Sequence, residues 1–237
     1  MNFNRIALVA LLLLLFFIPA ATAQTPTPQE SLKNDFPDLA FDGIRATSIK
    51  GLYEITTGTQ VYYYSPEAQI LVIGEMITSN RKNLTRERKL EIITQKVKEI
   101  PLEKALRIGN GKNQVIEFSD PDCSHCRRAS GFFSERENVT RYVFFFPLSP
   151  QSEKKIRHIL CSGDRPMAYK EAYAGKLDDT TFDVCKDEKV EELLKAHRKT
   201  ADLLGIEGTP FFVVNGKVVA GADLQRIEKL LGENSKQ

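Results

Sequence analysis

The pattern of apolar and polar residues changes along the chain. From Phe41 to about Ile77, β-branched and aromatic residues alternate between turn dipeptides such as TG and SP, which predicts a small antiparallel meander. The candidate strands are SIKGLYEIT, TQVYYYS and AQILVIGEMIT. Before them, QTPTPQE (residues 24–30) is polar and proline-bearing, which predicts a flexible leader without function.

The segment after the meander has a helical period. Apolar residues recur at intervals of three and four at Leu90, Ile93, Val97 and Ile100. Pro101 ends the pattern, and Asn83 or Thr85 is placed to cap the first turn. A helix that faces a core and a helix that joins two domains both fit this pattern. Its position between two strand-rich regions favours the linker.

After Pro101 the chain alternates between strands and helices. The candidate strands are ALRI (105–108), NQVIEFS (113–119), RYVFFF (141–146), FFVVN (211–215) and KVVAG (217–221). The candidate helices cover residues 124–135, 152–161, 165–174, 186–204 and 224–231. This is the thioredoxin-like order of elements: a strand, a CxxC at a helix start, a second strand, several helices, a hairpin and a last helix.

The amino terminus has the pattern of a targeting segment. Arg5 precedes an apolar run over residues 6–18, and an A-x-A pattern ends at Ala23. We interpret residues 1–23 as a cleaved secretory signal peptide, because the apolar run is short for a membrane span. The alternative, a membrane anchor, is less favoured. Export places the protein in a compartment where disulfides persist.

Composition excludes few functions. Without Arg5 the chain has 32 basic and 31 acidic residues, which gives no electrostatic reason to expect nucleic acid or an anionic membrane as a partner. A chain of this length buries a core without disulfide staples. Its four cysteines therefore need another explanation.

Two cysteines lie in FSDPDCSHCRRAS, directly after a predicted strand. At a helix start, unpaired backbone N–H groups and the helix dipole point at the Cys123 sulfur and favour its thiolate. Arg127, Arg128 and protonated His125 add positive charge nearby. Cys126 lies about one turn into the helix, where it suits the resolving role in disulfide exchange.

Two other interpretations of the CxxC are weaker. A structural disulfide across so small a loop stabilises little. A zinc site usually takes its ligands in two close pairs. The histidines His158 and His197 lie on charged stretches, KKIRHILC and LLKAHRKT, which are typical of a solvated surface. The sequence therefore predicts a reactive dithiol, without a metal or other cofactor.

The other two cysteines, Cys161 and Cys185, are predicted to form a structural disulfide. Four cysteines allow three connectivities, and spacing alone does not choose among them. The helix-start argument pairs Cys123 with Cys126, which leaves these two. Their bridge closes a loop of about 25 residues, which the loop-entropy model values at about 3.5 kcal/mol.

A second chemical marker is GIEGTPFFVVNGK, in which Thr209 and Pro210 directly precede an apolar strand. Proline has no N–H to give to a central ladder, so its presence there needs a reason. A cis Thr209–Pro210 bond would leave the N–H and C=O of Thr209 free to pair with an extended substrate near Cys123. A routine trans turn proline is the alternative.

These motifs together resemble the periplasmic protein disulfide isomerases of the DsbC and DsbG type, over nearly the whole mature chain. The resemblance implies an α+β fold with a small cystatin-like dimerisation domain (24–84), a linker helix (85–101) and a thioredoxin-like catalytic domain with a helical insertion (102–237). It implies a periplasmic homodimer whose two catalytic domains face a shared apolar cleft.

The resemblance also implies roles for single residues. Cys123 is the attacking cysteine, Cys126 its partner, and Thr209 with Pro210 the loop that faces them and binds substrate. Cys161 and Cys185 match the structural disulfide of the family. The expected partners are misfolded or mis-oxidised exported proteins and a membrane thiol reductase of the DsbD type.

One departure from the family lies between the active cysteines. DsbC has Gly-Tyr there, whereas this chain has Ser124 and His125, and a histidine in this place is similar to the oxidase DsbA. Positive charge from His125 would make the disulfide more oxidising, and Asp122 would oppose that effect. Three functions stay open: a thiol-disulfide isomerase, a thiol oxidase or reductase with DsbA-like poise, and a cleft-based holdase chaperone.

Overall fold

The computed structural model describes residues 25–233, so the expected signal peptide over residues 1–23 lies outside the described part. Among the helices between these bounds, none has both the length and the apolar character needed to cross a membrane. The described chain has two sheets with a helix between them.

The elements have the following bounds. The helices are α1 (Pro28–Asp35), α2 (Leu84–Lys96), α3 (Ser124–Ser134), α4 (Pro150–Cys161), α5 (Arg165–Tyr173), α6 (Glu188–Leu203) and α7 (Leu224–Glu233). The strands are β1 (Gly43–Ala46), β2 (Tyr53–Thr57), β3 (Gln60–Ser65), β4 (Ile70–Val72), β5 (Leu106–Ile108), β6 (Asn113–Ser119), β7 (Val139–Phe145), β8 (Phe211–Val214) and β9 (Lys217–Ala220). Short 3-10 turns cover Val97–Glu99 and Leu102–Lys104.

The first sheet is an antiparallel meander, as the sequence predicted, in the order β1-β2-β3-β4. Its strand β1 was not among the three candidate strands. Two of its strand bounds were wrong. SIKGLYEIT begins with a turn in which Gly51 has a φ of 77°, and only its second half enters β2. AQILVIGEMIT contributes only three residues to a ladder, because its chain leaves the sheet after Val72.

The expectation of a flexible leader over residues 24–30 was also wrong. Helix α1 begins at Pro28, inside that stretch. Thr27 and Glu30 form a capping box, in which each side chain accepts a hydrogen bond from the backbone N–H of the other. Leu32 then anchors the helix, because its side chain is fully buried with Ile55 of the first sheet.

Helix α2 is capped by Asn83, whose side chain accepts a hydrogen bond of 2.9 Å from the Arg86 N–H. Its two sides serve different cores. Ile92 packs with Val61 and Tyr63 of the first sheet, and Ile93 packs in the core of the second. Both interpretations of this helix therefore hold: it faces a core, and it connects the two sheets.

The second sheet has the strand order β5-β7-β6-β8-β9. Strand β6 is central and pairs parallel with β7 and antiparallel with β8. Although β5 precedes β6 in the chain, it pairs with β7. Gly111 in the connection passes very close to the β7 backbone, since a Cβ there would lie 2.0 Å from the Val139 nitrogen. The helices α4 and α5, between β7 and β8, are the helical insertion.

A disulfide joins Cys161, at the end of α4, to Cys185, in the segment before α6. Their Cα atoms are 6.0 Å apart. Both residues pack against the core cluster that contains Cys126. The bridge thus ties the irregular segment between α5 and α6 to the domain that carries the CxxC.

Candidate active site

Cys123 lies where the central strand meets a helix. Strand β6 ends at Ser119, the chain turns at Asp120, and Cys123 is the N-cap residue of α3 with extended backbone geometry. The buried Asp120 carboxylate fixes the turn, because it accepts hydrogen bonds of 2.6 Å from the N–H groups of Asp122 and Leu148. The backbone N–H groups of the first turn of α3 therefore point towards the end of the helix at which Cys123 lies.

The two cysteines of the CxxC are free thiols in very different environments. Cys123 is half-buried, whereas Cys126 is fully buried in the core beneath it. Burial raises the pKa of the Cys126 thiol well above its usual range, because the thiolate loses its hydration. Cys123 is therefore the more accessible of the two sulfurs.

The Thr209–Pro210 bond is cis, and it brings the loop before β8 against Cys123. The Cys123 thiol donates to the Thr209 carbonyl oxygen over 3.6 Å. Pro210 is buried, and its own carbonyl oxygen accepts a hydrogen bond from the Gly221 N–H. The backbone of Thr209 is thus the loop segment that faces the thiol, although 86 residues separate the two in sequence.

Ser124 and His125, between the cysteines, are exposed, so both side chains lie at the rim of the site. The positive charge expected from Arg127 is balanced beside the site. Its guanidinium is bound bidentately by Asp178, at 2.6 and 2.8 Å, so little of its positive charge is left for the Cys123 sulfur. Arg128 points elsewhere and donates to the Ala222 carbonyl oxygen.

The Arg127–Asp178 pair belongs to a four-residue ion cluster, which also contains Asp122 and Lys155. The buried Lys155 ammonium lies 2.5 Å from the Asp122 carboxylate and also bonds Asp178. The Arg127 guanidinium and the Lys155 ammonium hold the pKa of Asp178 well below its usual range. This cluster fixes the carboxylate of Asp122, the residue directly before Cys123.

Sequence reasoning missed a set of hydroxyls around Cys126. Within residues 25–233, three buried side-chain oxygens have no hydrogen-bond partner: Ser119 Oγ, Tyr173 Oη and Thr209 Oγ1. The Ser119 and Thr209 hydroxyls both act on the Cys126 thiol and favour its thiolate. Ser119 had a sequence signal, because it ends the strand that leads into the CxxC, but nothing local marks Tyr173.

His158 and His197 are not the solvated surface residues that the sequence predicted. His197 is fully buried, which contradicts the prediction from LLKAHRKT. It lies on the same face of α6 as Val190 and Ala201, and this face packs on the sheet. His158 is half-buried, with Nδ1 2.9 Å from the Asp183 carbonyl oxygen. In the described part of the chain, no group of three or more potential ligands is arranged to hold a metal.

Comparison with known families agrees with this geometry. Residues 19–86 match the model of the disulfide bond isomerase protein N-terminal domain, and residues 102–232 match that of a thioredoxin-like domain. The second match contains both the CxxC and the Thr209–Pro210 loop. The chain is a DsbC-like member of the thioredoxin-like family.

Proteins that are similar in sequence to this DsbC-like chain are named thiol:disulfide interchange proteins. It is 29% identical over 221 residues to a probable thiol:disulfide interchange protein DsbC of Bordetella parapertussis, which covers 89% of this chain and 77% of that protein. It is 25% identical over 198 residues to DsbC of Escherichia coli, covering 77% and 79%. A thiol-disulfide exchange protein of Wolbachia pipientis has the same fold, with a TM-score of 0.53, 19% identity, and coverage of 64% and 99%.

Proposed function

We propose that this chain is a thiol-disulfide isomerase that rearranges incorrect disulfides in exported proteins through Cys123. The observation that carries the proposal is the half-buried Cys123 thiol at the start of α3, facing the Thr209 carbonyl across 3.6 Å. The Cys123 thiolate attacks one sulfur of a wrong disulfide and forms a mixed disulfide. The released substrate thiolate then attacks another disulfide of the substrate, and the thiolate freed there attacks the mixed disulfide. This last attack forms a new substrate disulfide and returns the Cys123 thiolate without net oxidation or reduction.

The Thr209 backbone is proposed to hold the substrate chain. While Cys123 is a thiol, its S–H occupies the Thr209 carbonyl oxygen. A thiolate or mixed-disulfide sulfur has no proton to donate, so the same carbonyl becomes free to accept a substrate N–H. An extended substrate segment then adds to this edge as a short strand. The proposed docking edge thus lies next to the sulfur that attacks the docked chain.

Cys126 is proposed to end unproductive encounters. Its thiolate attacks the Cys123 sulfur of a persistent mixed disulfide, which forms the Cys123–Cys126 disulfide and releases a reduced substrate. The oxidised pair no longer attacks disulfides, so an external reductant has to restore it. We assign this role to a membrane thiol reductase of the DsbD type, acting on the protein after export directed by residues 1–23.

The first sheet is proposed to pair two copies of the chain. Strand β4 is the last strand of that sheet, and in the described part of the chain no strand lies beyond it. The side chains of Ile70, Val72 and Ile73 on and beside it are exposed. An open strand edge with exposed β-branched residues is suited to pairing with another edge. A second copy provides such an edge and would place two CxxC sites across a shared cleft.

Refolding of a scrambled multi-disulfide protein tests the isomerase directly. The wild-type chain in a glutathione buffer is expected to restore native disulfides catalytically, and Cys123→Ser is expected to abolish that effect. Cys126→Ser is the matched control: it removes one thiol from the same motif but should keep part of the isomerase activity, because exchange through Cys123 does not require it. Equal rescue by wild type and Cys123→Ser would contradict the proposal.

A thiol oxidase with DsbA-like poise is the second candidate, favoured by the exposed Ser124 and His125 between the cysteines. A protonated His125 beside the Cys123 thiolate stabilises the reduced form and makes the disulfide more oxidising. The redox equilibrium of the pair against glutathione, measured with sedimentation on the same sample, separates the two functions. A strongly oxidising monomer supports the oxidase, and a dimer of lower potential supports the isomerase.

A further inference from the structure

We propose that Ser119 and Tyr173 are positioning residues for Cys126: the Ser119 hydroxyl donates a hydrogen bond to the Cys126 thiolate while it releases the substrate, and the Tyr173 hydroxyl acts through that of Ser119. This inference rests on the proposed disulfide exchange and adds two residues to it. Both hydroxyl oxygens are buried without a partner, beneath the CxxC. Ser119 lies at the end of β6 and Tyr173 at the end of α5, so two separate elements bring the two hydroxyls together.

Unpartnered buried hydroxyls are rare in folded proteins because each loses its hydrogen bonds to water and gains none. Ser119 is fully buried and Tyr173 is 5% exposed. A group of this kind beside a buried thiol, with a second one next to it, therefore indicates a donor kept for a charge that the resting thiol does not carry. A thiol is a weak acceptor, whereas a thiolate is an anion that accepts several hydrogen bonds.

Ser119 is the member of the pair that lies at this sulfur. The Ser119 hydroxyl faces the Cys126 thiol and lowers its pKa, against the larger opposite effect of burial. The Tyr173 hydroxyl lies beside that of Ser119, and Tyr173 packs in the same core cluster as Cys126. Burial raises the pKa of Tyr173 itself well above its usual range, so its hydroxyl keeps its proton and donates.

The neighbouring ionisable groups are not available for this role. Glu117, on β6, is held by the Arg141 guanidinium at 2.6 Å, and Tyr169 bonds the same pair. Cys123, at the start of α3, is bonded to the substrate sulfur in the mixed disulfide when Cys126 attacks. From the facing loop, Thr209 adds a third hydroxyl to the site. Neutral donors therefore surround Cys126, and none of them competes for its proton.

The step balances without another reactant. The Cys126 thiol loses its proton, and its sulfur forms a bond to the Cys123 sulfur as the bond from Cys123 to the substrate sulfur breaks. The substrate leaves as a thiolate and takes up the proton that Cys126 lost. The CxxC pair is oxidised by two electrons and the substrate disulfide is reduced by the same two.

The test measures release of glutathione from a Cys123–glutathione mixed disulfide between pH 6 and 10. Ser119→Ala and Tyr173→Phe each remove one hydroxyl. Each is expected to slow release at pH 7 by about threefold to tenfold and to move the rise of the rate with pH upward by about one unit. Reaction of Cys123 with the initial disulfide should not change. Thermal stability should stay equal or rise, because an unpartnered buried hydroxyl is removed.

Tyr169→Phe is the matched control. Its ring stacks on that of Tyr173 with centroids 4.0 Å apart, but its hydroxyl serves Arg141 and Glu117. It should lower stability and leave release at the wild-type rate. Wild-type release rates in both Ser119→Ala and Tyr173→Phe, or equal slowing in Tyr169→Phe, would overturn the inference. A wild-type chain whose Cys123 never forms the mixed disulfide would instead overturn the proposed function, and the inference with it.

Discussion

His197 is a neutral buried base that joins two separate segments of the second domain. Its Nδ1 accepts a hydrogen bond of 3.1 Å from the Phe145 N–H, and its Nε2 donates one of 2.9 Å to the Lys104 carbonyl oxygen. A proton on Nδ1 would break the first bond and bury a charge. Burial accordingly lowers the pKa of His197 to about 4.

This shift predicts acid sensitivity with a definite sign. Between the unfolded pKa of about 6.5 and the folded value, the unfolded chain binds the extra proton, so stability falls as the pH falls through this window. The loss is on the order of 3 kcal/mol for a shift of this size. In denaturant melts, His197→Asn should have a lower free energy of unfolding than wild type at pH 7. Its free energy of unfolding should also fall less steeply as the pH falls, because the contribution of His197 is gone. The control His158→Asn should keep it, and an unchanged slope in His197→Asn would contradict the account.

At the residue scale, the sequence shows the CxxC but not what surrounds it. Cys123 is recognisable because the strand, turn and helix start are all local patterns. Tyr173 reaches Ser119 only after α5 has packed on the sheet, and no local pattern shows that. His197 was readable in part: Val190 and Ala201 share its helix face at helical spacing, and this face is the one that packs on the sheet.

At the element scale, the ion cluster connects α3, α4 and the segment after α5 to the active-site turn. Asp178 is the carboxylate that balances both Arg127 and Lys155. Without it, Asp122 alone faces two cations, and the field at Cys123 becomes more positive. The cluster therefore sets how much of the nearby positive charge reaches the sulfur.

Asp178→Asn is expected to make the CxxC disulfide a few-fold more oxidising against glutathione, because net positive charge favours the reduced thiolate. The effect should shrink at high ionic strength, since the cluster is partly exposed. The exposed neighbour Asp179 is the matched control, because Asp179→Asn removes the same charge outside the cluster. A more reducing pair in Asp178→Asn, or equal shifts in both variants, would contradict this role.

The element scale also shows where sequence patterns succeed and fail. Strand β6 was predicted with the right bounds because the β-branched and aromatic residues Val115, Ile116 and Phe118 lie between turn signals. Helix α1 was missed although TPQE at its start has the spacing of a capping box. The proline-rich composition of residues 24–30 was given too much weight. Strand pairing, such as β5 with β7, depends on contacts distant in sequence and was not readable.

At the scale of the whole molecule, the account depends on two copies acting together. The open edge of β4 carries Val72 and Ile73, which are 45% and 77% exposed. A lysine at either position puts a charge into the proposed interface and should disfavour the pairing of two edges. The prediction is a monomer in sedimentation, with turnover of small dithiols retained and refolding of a scrambled protein strongly reduced.

Ile49→Lys is the control for these variants. Ile49 is 52% exposed in the same domain, but it lies in the turn before β2 and away from the β4 edge. This variant should remain a dimer with wild-type activity. Val72→Lys and Ile73→Lys proteins that still sediment as dimers would show that the copies do not pair through β4.

The central claim is that Cys123 is the attacking sulfur and Cys126 the resolving one. Trapping with a disulfide-containing peptide tests it most directly. Reduced Cys126→Ser, mixed with the peptide and mapped by mass spectrometry, is predicted to accumulate a stable one-to-one adduct at Cys123. Cys123→Ser is predicted to form almost none, because the remaining thiol is buried and its pKa is raised. An adduct that forms readily at Cys126, or none at Cys123, would contradict the account.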